Sequence, residues 1–317
     1  MTAPTDSALR QYIEPDFEEK ISRENELEDS ESPRQAYRVE APARQTAPVV
    51  FASPHSGRDY PPEFVAASRL NTLTLRRSED AFLDEVFGAA PDFGAPLLCA
   101  EFPRAYVDAN REAFELDPAM FAGPLPDYVN TSSPRISAGL GTIAKIVTDG
   151  EDIYNAPLSF EEVRQRIETF HRPYHEALQQ LLDTTRALFG GCLLVDCHSM
   201  PSGAAPPLNS LGQPVSVVLG DCFATACAPA ITDTAQRALE SAGLSVTRNK
   251  PYAGGFTTRH YGRPEDGVHV LQIEINRGLY MDEKRILRGA GMAELKRRIA
   301  MLVDALAGLD PAILKPV

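Results

Sequence analysis

The chain has 317 residues, of which 43% are hydrophobic and 24% are charged, and its formal net charge is −13. Length and composition are those of a globular protein with one large domain or two small ones, and the negative charge disfavours a nucleic acid or an anionic membrane surface as partner. The charge does not argue against a small anionic substrate, because a pocket can carry local arginines against the overall sign.

Membrane and disulfide signals are weak. No apolar run approaches the roughly 18 residues that a membrane span needs, and the N-terminus lacks the pattern of a signal peptide. The odd number of cysteines does not predict a disulfide framework, and those in apolar strands are expected to be buried thiols. They are Cys99, Cys192, Cys197, Cys222 and Cys227. A reduced, cytoplasmic compartment is the resulting expectation.

The first 40 residues differ from the rest. Residues 1–40 are rich in Glu, Asp, Ser, Arg and Pro, which predicts a solvated acidic N-terminal arm. Residues 41–317 are expected to form a single domain. Its first elements are predicted as a strand at "APVVFAS", a short helix at "SEDAFLDEVFG" opened by Ser78, and strands at "APLLCAEF" and "RAYVDAN".

A long helix is predicted next, beginning at "SFEEVRQ". Ser159 and Glu162 form a capping box, and Pro173 should bend or interrupt the helix. The remaining elements are strands at "CLLVDCHSM" and "VSVVLGD", a helix at "CFATACAPAITDTAQRALESAG", a strand at "VHVLQIEIN" and a closing helix over 282–307. The alternation predicts an α/β fold with a central mixed, largely parallel sheet flanked by helices, whose chemistry gathers at strand ends.

Two histidines share the same local context. His55 ends "VVFASPH" and His198 ends "LLVDCHS", and each follows an apolar run and precedes a turn of small residues. One such histidine alone is more often a core side chain, but the repeated placement suggests a shared cause. Histidine is a common zinc ligand, and a catalytic zinc has three protein ligands and a water. One ion could not bind both rings if they lay more than about 6 Å apart with no carboxylate between them.

A carboxylate ligand is therefore required, and "RRSEDAFLDEVF" offers Glu79 and Asp80. Taken alone, these two acids are explained equally well as residues that stabilise a helix N-terminus by about 0.3–1 kcal/mol.

Charged and polar residues cluster in "FPRAYVDANREAFELDP". On a strand, where side chains alternate, Arg104, Asp108 and Asn110 would share a face, and Arg111 follows directly. Because a guanidinium binds a carboxylate with two hydrogen bonds, the cluster predicts a pocket for a carboxylate. An ion-paired surface strand is the alternative.

The last cluster lies in "GGFTTRHYGRPEDGVHVLQIEINRGLY". Glu274 stands inside an apolar strand, and Asn276 and Arg277 follow it. A buried carboxylate is costly unless it is paired or bound to a metal, and burial with a nearby cation tunes its pKa as a general base requires. A structural ion pair with Arg277 or Arg259 is the alternative. His260, on a loop rich in Gly and Thr, is expected to reach a substrate.

Two further features carry less weight. The glycine-rich stretch "AGLGTIAK" (138–145) lacks the spacing of a phosphate-binding loop and is expected to be a flexible loop over the site. His171 and His175 are four residues apart but do not match the HExxH pattern, so a solvated or core-packed pair is expected.

The motifs "SPHSGRDYP", "EDAFLDEVF", "YVDANR…ELDP", "VDCHSMP" and "YAGGFTTRHYG…LQIEINRGLYMDE" together resemble those of the N-formylglutamate amidohydrolases, over about residue 47 to 290. The resemblance implies an α/β fold like that of zinc carboxypeptidases and aspartoacylases. It also implies hydrolysis of N-formylglutamate to formate and glutamate, as in histidine degradation. The Arg…Asp-x-Asn-Arg-x-x-Phe pattern of that wider group is matched by Arg104, Asp108, Asn110, Arg111 and Phe114.

The resemblance also implies a zinc site. The wider group has a ligating Glu three residues after its first His, where this chain has Arg58. The implied ligands are therefore His55, His198 and Asp80, with Glu79 as the alternative to Asp80.

The other roles follow from the same resemblance. Glu274 would act as general base, and Arg104 would stabilise the oxyanion with the metal. The remaining expected substrate-binding residues are Asn110, Arg111, Arg259, His260, Asn276 and Arg277. Two rivals stay open: a zinc amidase acting on other N-acyl amino acids, and a metal-free binding protein for acidic amino-acid derivatives. A serine hydrolase is poorly supported, because no G-x-S-x-G motif is present.

Overall fold

A seven-stranded sheet lies at the centre of the protein, in a computed structural model that describes residues 34–147, 150–208, 212 and 214–316. The strand order is β1-β3-β2-β4-β7-β5-β6. The strands are β1 (Tyr37–Glu40), β2 (Val49–Ser53), β3 (Leu97–Ala100), β4 (Cys192–Met200), β5 (Val217–Gly220), β6 (Val246–Arg248) and β7 (Val268–Asn276). The central strands β3, β2, β4 and β7 run parallel, whereas β1 is antiparallel to β3 and β5 to β7. The predicted mixed, largely parallel sheet is confirmed.

Helices cover both faces of this sheet. They are α1 (Pro62–Ala67), α2 (Thr72–Arg76), α3 (Leu83–Val86), α4 (Pro134–Ser137), α5 (Phe160–Arg166), α6 (Arg172–Phe189), α7 (Pro229–Ser241), α8 (Phe256–Tyr261) and α9 (Met292–Ala307). The helices α7 and α9 share one hydrophobic core with one face of the sheet, and α5 and α6 share a second core with the other face.

The long apolar runs of the central strands follow from this layering. Along β2, Phe51 packs in one core and Val50 in the other, and Val195 and Leu194 alternate in the same way along β4. Because both faces are covered, every position of these strands is buried and the usual alternation of polar and apolar residues is lost.

The predicted strand "RAYVDAN" is wrong, because this segment consists of turns. The Tyr106 amide donates to the Pro103 carbonyl at 2.9 Å, which closes a turn, and the Asp108 amide donates to the Thr142 carbonyl at 2.8 Å. The polar residues alternate here as they would on a strand. Their backbone, however, is hydrogen-bonded within turns and to the loop that contains Thr142, not to a neighbouring strand.

Three predicted helix starts are also wrong. The "SEDAF" helix covers only Leu83–Val86, because Phe82 has a φ of 66°, in the left-handed region. The helix expected from Cys222 begins at Pro229, after three consecutive residues with positive φ. The closing helix begins at Met292, after the hairpin of β8 (Met281–Asp282) and β9 (Leu287–Arg288).

The long helix has the predicted start and interruption. The Ser159 hydroxyl accepts a hydrogen bond from the Glu162 amide at 3.1 Å. A π-helical turn over Ile167–His171 separates α5 from α6, and Pro173 is the second residue of α6. The cause is that proline has no N–H to donate and cannot continue the regular hydrogen-bond pattern.

The edge strand β1 extends the sheet into the predicted N-terminal arm. Residues 1–33 of that arm lie outside the described residues, but Tyr37–Glu40 pairs with β3, so the sheet begins before the predicted boundary at residue 41. Among the described residues, no helix has both the length and the apolar character needed to cross a bilayer.

Candidate active site

Three neighbouring parallel strands bring the candidate residues to one edge of the sheet. His55 follows the end of β2, whereas His198 lies near the end of β4 and Glu274 near the end of β7. His198 and Glu274 are direct partners in the β4–β7 register. Since the carboxyl ends of parallel strands open onto a common crevice, the fold itself places these side chains together.

Asp80 connects the two histidines. Its amide donates to the His55 carbonyl at 2.9 Å, which fixes the turn before α3 against the end of β2. Its Oδ2 lies 3.2 Å from Nδ1 of His55 and 3.1 Å from Nδ1 of His198. The two ring centroids are 4.8 Å apart. The two rings are therefore closer than the limit of about 6 Å given above, and a carboxylate lies between them. One ion could bind both histidines.

The other oxygen of Asp80 is held by its surroundings. Oδ1 accepts hydrogen bonds from the Ser199 hydroxyl at 3.0 Å and from Nη2 of Arg277 at 2.9 Å. Burial opposes ionisation of this carboxyl, but the hydrogen bonds from His198 and His55 and the charge of Arg277 hold its pKa well below the usual value. Asp80 is thus an ionised carboxylate at neutral pH.

A carboxylate also lies at the far nitrogen of each imidazole. Nε2 of His55 is 2.7 Å from Oδ1 of Asp108, and Nε2 of His198 is 3.0 Å from Oδ1 of Asp196. With an ion bound, a proton on Nε2 of His55 would satisfy Asp108 and leave the Nδ1 lone pair of His55 directed at the position next to Asp80. Oδ1 of Asp196 lies close to Nε2 of His198 without a well-aligned hydrogen bond. The side-chain nitrogen of Asn110 also lies 3.0 Å from Nε2 of His198.

Asp196 is fully buried on β4, and neither of its carboxylate oxygens makes a well-aligned hydrogen bond in the described part of the chain. Burial disfavours the charged form of His198, but the carboxylates of Asp196 and Asp80 more than offset it and raise the pKa of His198 well above its usual value. A buried carboxylate in this state is costly without a cation close by. The environment of His198 therefore favours positive charge beside Asp196 and Asp80.

A metal ion fits this donor set. The ligating atoms of His55, Asp80 and His198 all lie within 4.8 Å of one another, and the three residues are buried. Two imidazole nitrogens and one carboxylate oxygen are a common ligand set for a catalytic zinc. The neighbouring Glu79 is directed elsewhere, since it accepts hydrogen bonds from Tyr60 and Arg76.

Glu274 lines the same cavity and is itself suited to act as an acid–base group. Burial, the largest cause, raises its pKa to about 7, with the His198 charge opposing and the Asp80 charge reinforcing the shift. Its Oε1 accepts a hydrogen bond from the side-chain amide of Gln272 at 2.8 Å. A carboxyl group with this pKa exchanges protons readily near neutral pH.

These side chains line one cavity of about 530 Å³. Of the residues predicted from the sequence, those on its walls are His55, Asp80, Arg104, Asn110, Arg111, His198, Glu274 and Arg277. Its apolar walls include Leu140, Ala144, Ile146 and Val147, so the stretch expected to form a loop over the site does border it.

Three predicted substrate-binding residues do not line this cavity. The exposed Arg259 donates to the Gly254 carbonyl at 2.8 Å, and the His260 ring stacks on Phe256. The Asn276 side chain caps the turn that follows β7 by accepting from the Gly278 amide at 3.0 Å.

Sequence reasoning gave no role to several residues that the structure brings to the site. Asp196 had a readable signal, because it lies two positions before His198 on a strand and therefore shares its face. Gln272 has the same relation to Glu274. Arg135 and Tyr252 line the cavity from distant loops, and no local pattern marks them.

The α/β fold places a buried His–Asp–His group that could hold a metal ion, and an adjacent carboxyl, at the edge of a parallel sheet, as a hydrolase site requires. The family model described as N-formylglutamate amidohydrolase matches residues 47–281. The chain belongs to the N-formylglutamate amidohydrolase family.

Similar proteins agree with this membership. The N-formylglutamate deformylase of Pseudomonas putida is 29% identical over 249 residues, which cover 74% of this chain and 82% of that protein. The one of Pseudomonas aeruginosa is 28% identical, covering 81% and 91%. The crystal structure of an N-formylglutamate amidohydrolase from Ralstonia eutropha JMP134 has a TM-score of 0.80 and 35% identity, covering 86% of this chain and 97% of that one.

Proposed function

We propose that this chain is a zinc-dependent amidohydrolase that cleaves N-formyl-L-glutamate to formate and glutamate. The relatives above are named for this activity. The observation that carries the proposal is the buried group of His55, Asp80 and His198 beside a general-base candidate in one cavity. A cytoplasmic location stays a prediction from the sequence.

His55, Asp80 and His198 would hold the metal through two Nδ1 atoms and one carboxylate oxygen. A zinc ion bound there would polarise a carbonyl oxygen and make water more acidic. Asp108 orients the His55 imidazole and Asp196 places a buried charge beside His198, while Arg277 and Ser199 fix the orientation of Asp80.

Glu274 moves the proton that the reaction requires. As water attacks the formyl carbon, its proton passes to the Glu274 carboxylate. The same proton then passes to the amide nitrogen as the C–N bond breaks, giving formic acid and the free amine, and the acid proton passes to the amine or to solvent to leave formate. The Gln272 amide holds the carboxylate in position through both events.

Arg104 is suited to stabilise the oxyanion. Its Nη2 donates to Asp108 at 2.8 Å, while its Nε and Nη1 have no partner among the described residues. Its charge is close enough to Asp80 and Glu274 to interact with both. We infer that these free donors face the reacting carbonyl, where charge develops in the transition state.

The test combines metal analysis with formate release from N-formyl-L-glutamate. We expect about one zinc per chain, and Glu274→Gln should keep the metal and the fold but lower kcat by about 10²- to 10⁴-fold. Retained turnover in that variant would remove Glu274 as the base.

Other outcomes of this test would support one of the two alternative functions named from the sequence. Faster turnover of N-acetylglutamate than of N-formylglutamate would indicate a deacylase of other N-acyl amino acids. Binding of N-formylglutamate without bound metal or turnover would indicate a binding protein.

A further inference from the structure

The cavity is more cationic than the protein as a whole. Four arginines line it against three carboxylates, in a chain whose formal net charge is −13. The carboxylates are Asp80, Asp108 and Glu274, and the arginines are Arg104, Arg111, Arg135 and Arg277. Which of these arginines can bind a substrate depends on which donors already have partners inside the protein.

Two of the four arginines are occupied. In Arg277, Nε donates to Ser199, Nη1 to the Arg77 carbonyl and Nη2 to Asp80, so every nitrogen has a partner. In Arg111, Nε and Nη1 donate to the carbonyls of Leu140 and Asn110, each at 2.7 Å. Both guanidinium groups therefore act mainly as structural supports.

Arg135 differs from these arginines. It lies on α4, and its side chain is 31% exposed with Nη1 at 3.7 Å from the buried Glu115 carboxylate. None of its guanidinium nitrogens makes a hydrogen bond to the residues that the structure describes. The Glu115 carboxylate restrains its position without occupying its donors.

Arg135 and Arg104 have different acidic neighbours, although the charges of both act on Arg111. Arg104 interacts electrostatically with Asp80 and Glu274, so it lies beside the candidate metal ligands. Arg135 instead is a neighbour of Arg111, whose pKa is lowered mainly by burial and additionally by the charges of Arg104 and Arg135. The wall that follows Arg135 in the chain is apolar, with Leu140 and Ile146. A substrate with methylene groups between two anionic ends matches this arrangement.

We propose that Arg135 is the specificity-determining residue that binds the side-chain carboxylate of the substrate, so that the site selects N-acyl derivatives of dicarboxylic amino acids. The inference rests on the proposed hydrolase function. A guanidinium with free donors binds a carboxylate through two charge-assisted hydrogen bonds, which an uncharged side-chain amide on the substrate cannot replace.

The experiment compares N-formyl-L-glutamate with N-formyl-L-glutamine, its isostere with an uncharged side chain, on zinc-loaded enzyme. For Arg135→Gln we expect the ratio of the two kcat/KM values to fall by about 10- to 100-fold, because one charge-assisted contact is lost. The loss should appear mainly in KM for N-formylglutamate. Arg135→Lys keeps the charge but not the two parallel donors, so it should restore only part of the preference.

Arg259→Gln is the matched control, because Arg259 is exposed and does not line the cavity. An unchanged ratio in Arg135→Gln, or a loss in Arg259→Gln instead, would overturn the inference while formate release in the wild type still supports the proposed function. An equal loss for both substrates in Arg135→Gln would show a structural role and also overturn it. Absence of formate release from either substrate by the wild type would overturn the proposed function and this inference together.

Discussion

Each candidate metal-binding histidine has an aspartate beside both ring nitrogens. Asp80 lies next to the two Nδ1 atoms, Asp108 next to Nε2 of His55 and Asp196 next to Nε2 of His198. Asp108 is itself held by Nη2 of Arg104 at 2.8 Å and by its own contact with the Asn110 amide. Its pKa is held well below the usual value, because the charges of Arg104 and Arg111 and the contact with His55 overcome the opposing effect of burial. Asp108 thus stays an acceptor, which would keep a proton on Nε2 of His55 when a metal ion binds Nδ1.

We expect Asp108→Asn to weaken zinc binding by about 10- to 100-fold, the usual effect of losing such a partner. An asparagine side chain can turn its NH₂ group toward Nε2 of His55, which places the imidazole proton on Nδ1 and removes the ligand lone pair. Zinc affinity should be measured by competition with a chromogenic chelator, which does not depend on turnover.

Glu79→Gln is the control for this prediction. Glu79 is also a buried carboxylate and adjoins Asp80 in sequence, but its partners are Tyr60 and Arg76. The zinc affinity of the Glu79→Gln variant should stay close to that of the wild type. Equal weakening in both variants would mean that any lost buried carboxylate disturbs the site, which contradicts a specific role for Asp108.

At the scale of elements, the bounds of the strands that carry the site could be predicted from the sequence. The structure of the connecting segments could not. The strands β4 and β7 have the bounds of the apolar runs that predicted them, because burial on both faces leaves a continuous signal. The position of His55 and His198 at strand ends follows directly from those runs.

The segment 104–111 could not be predicted in the same way, because its shape depends on distant partners. Nε2 of His171 lies 2.9 Å from the Arg111 carbonyl, and Nε2 of His175 lies 2.9 Å from the Ala109 carbonyl. These contacts span 60 and 66 residues. The pair of histidines thus supports the turns that carry Asp108 and Asn110, and no local pattern shows this.

His175 should make stability depend on pH. Burial, with a smaller effect of His171, lowers its pKa to about 3, and both ring nitrogens already have partners in the neutral form. An unfolded histidine titrates near pH 6.5, so between these values the unfolded state binds a proton that the folded state does not. The free energy of unfolding should therefore fall by about 1.4 kcal/mol per pH unit as pH decreases below about 6.

Urea unfolding at pH 7 and pH 5 measures this effect. His175→Gln retains an N–H that can reach the Ala109 carbonyl but does not titrate, so its unfolding free energy should change less between the two pH values. A residual change is expected from His171, whose pKa is also lowered by burial. An identical change in variant and wild type would exclude His175 as a source.

At the scale of the whole molecule, the edge strand β1 lies within residues 1–40, the segment that composition predicted to be a solvated N-terminal arm. In β1, Arg38 donates to Glu101 and Asp84, and Asp84 is buried. The edge strand therefore covers β3 and also neutralises a buried carboxylate near the turn that carries Asp80. Charge-rich composition predicted a solvated segment here because it does not reveal where the partners of those charges lie.

The contrast between a cationic cavity and an anionic chain affects how a substrate arrives. We expect the net charge of the protein to repel a dianion at long distance and the arginines to attract it near the cavity. Added salt shortens the Debye length from about 30 Å at 0.01 M to about 8 Å at 0.15 M, and it screens buried pairs much less than exposed charges. The kcat/KM for N-formylglutamate should therefore rise with ionic strength over this range, and more steeply than that for N-formylglutamine. A fall in kcat/KM with ionic strength would mean that attraction by the arginines of the cavity, and not repulsion by the net charge, determines the rate of substrate association.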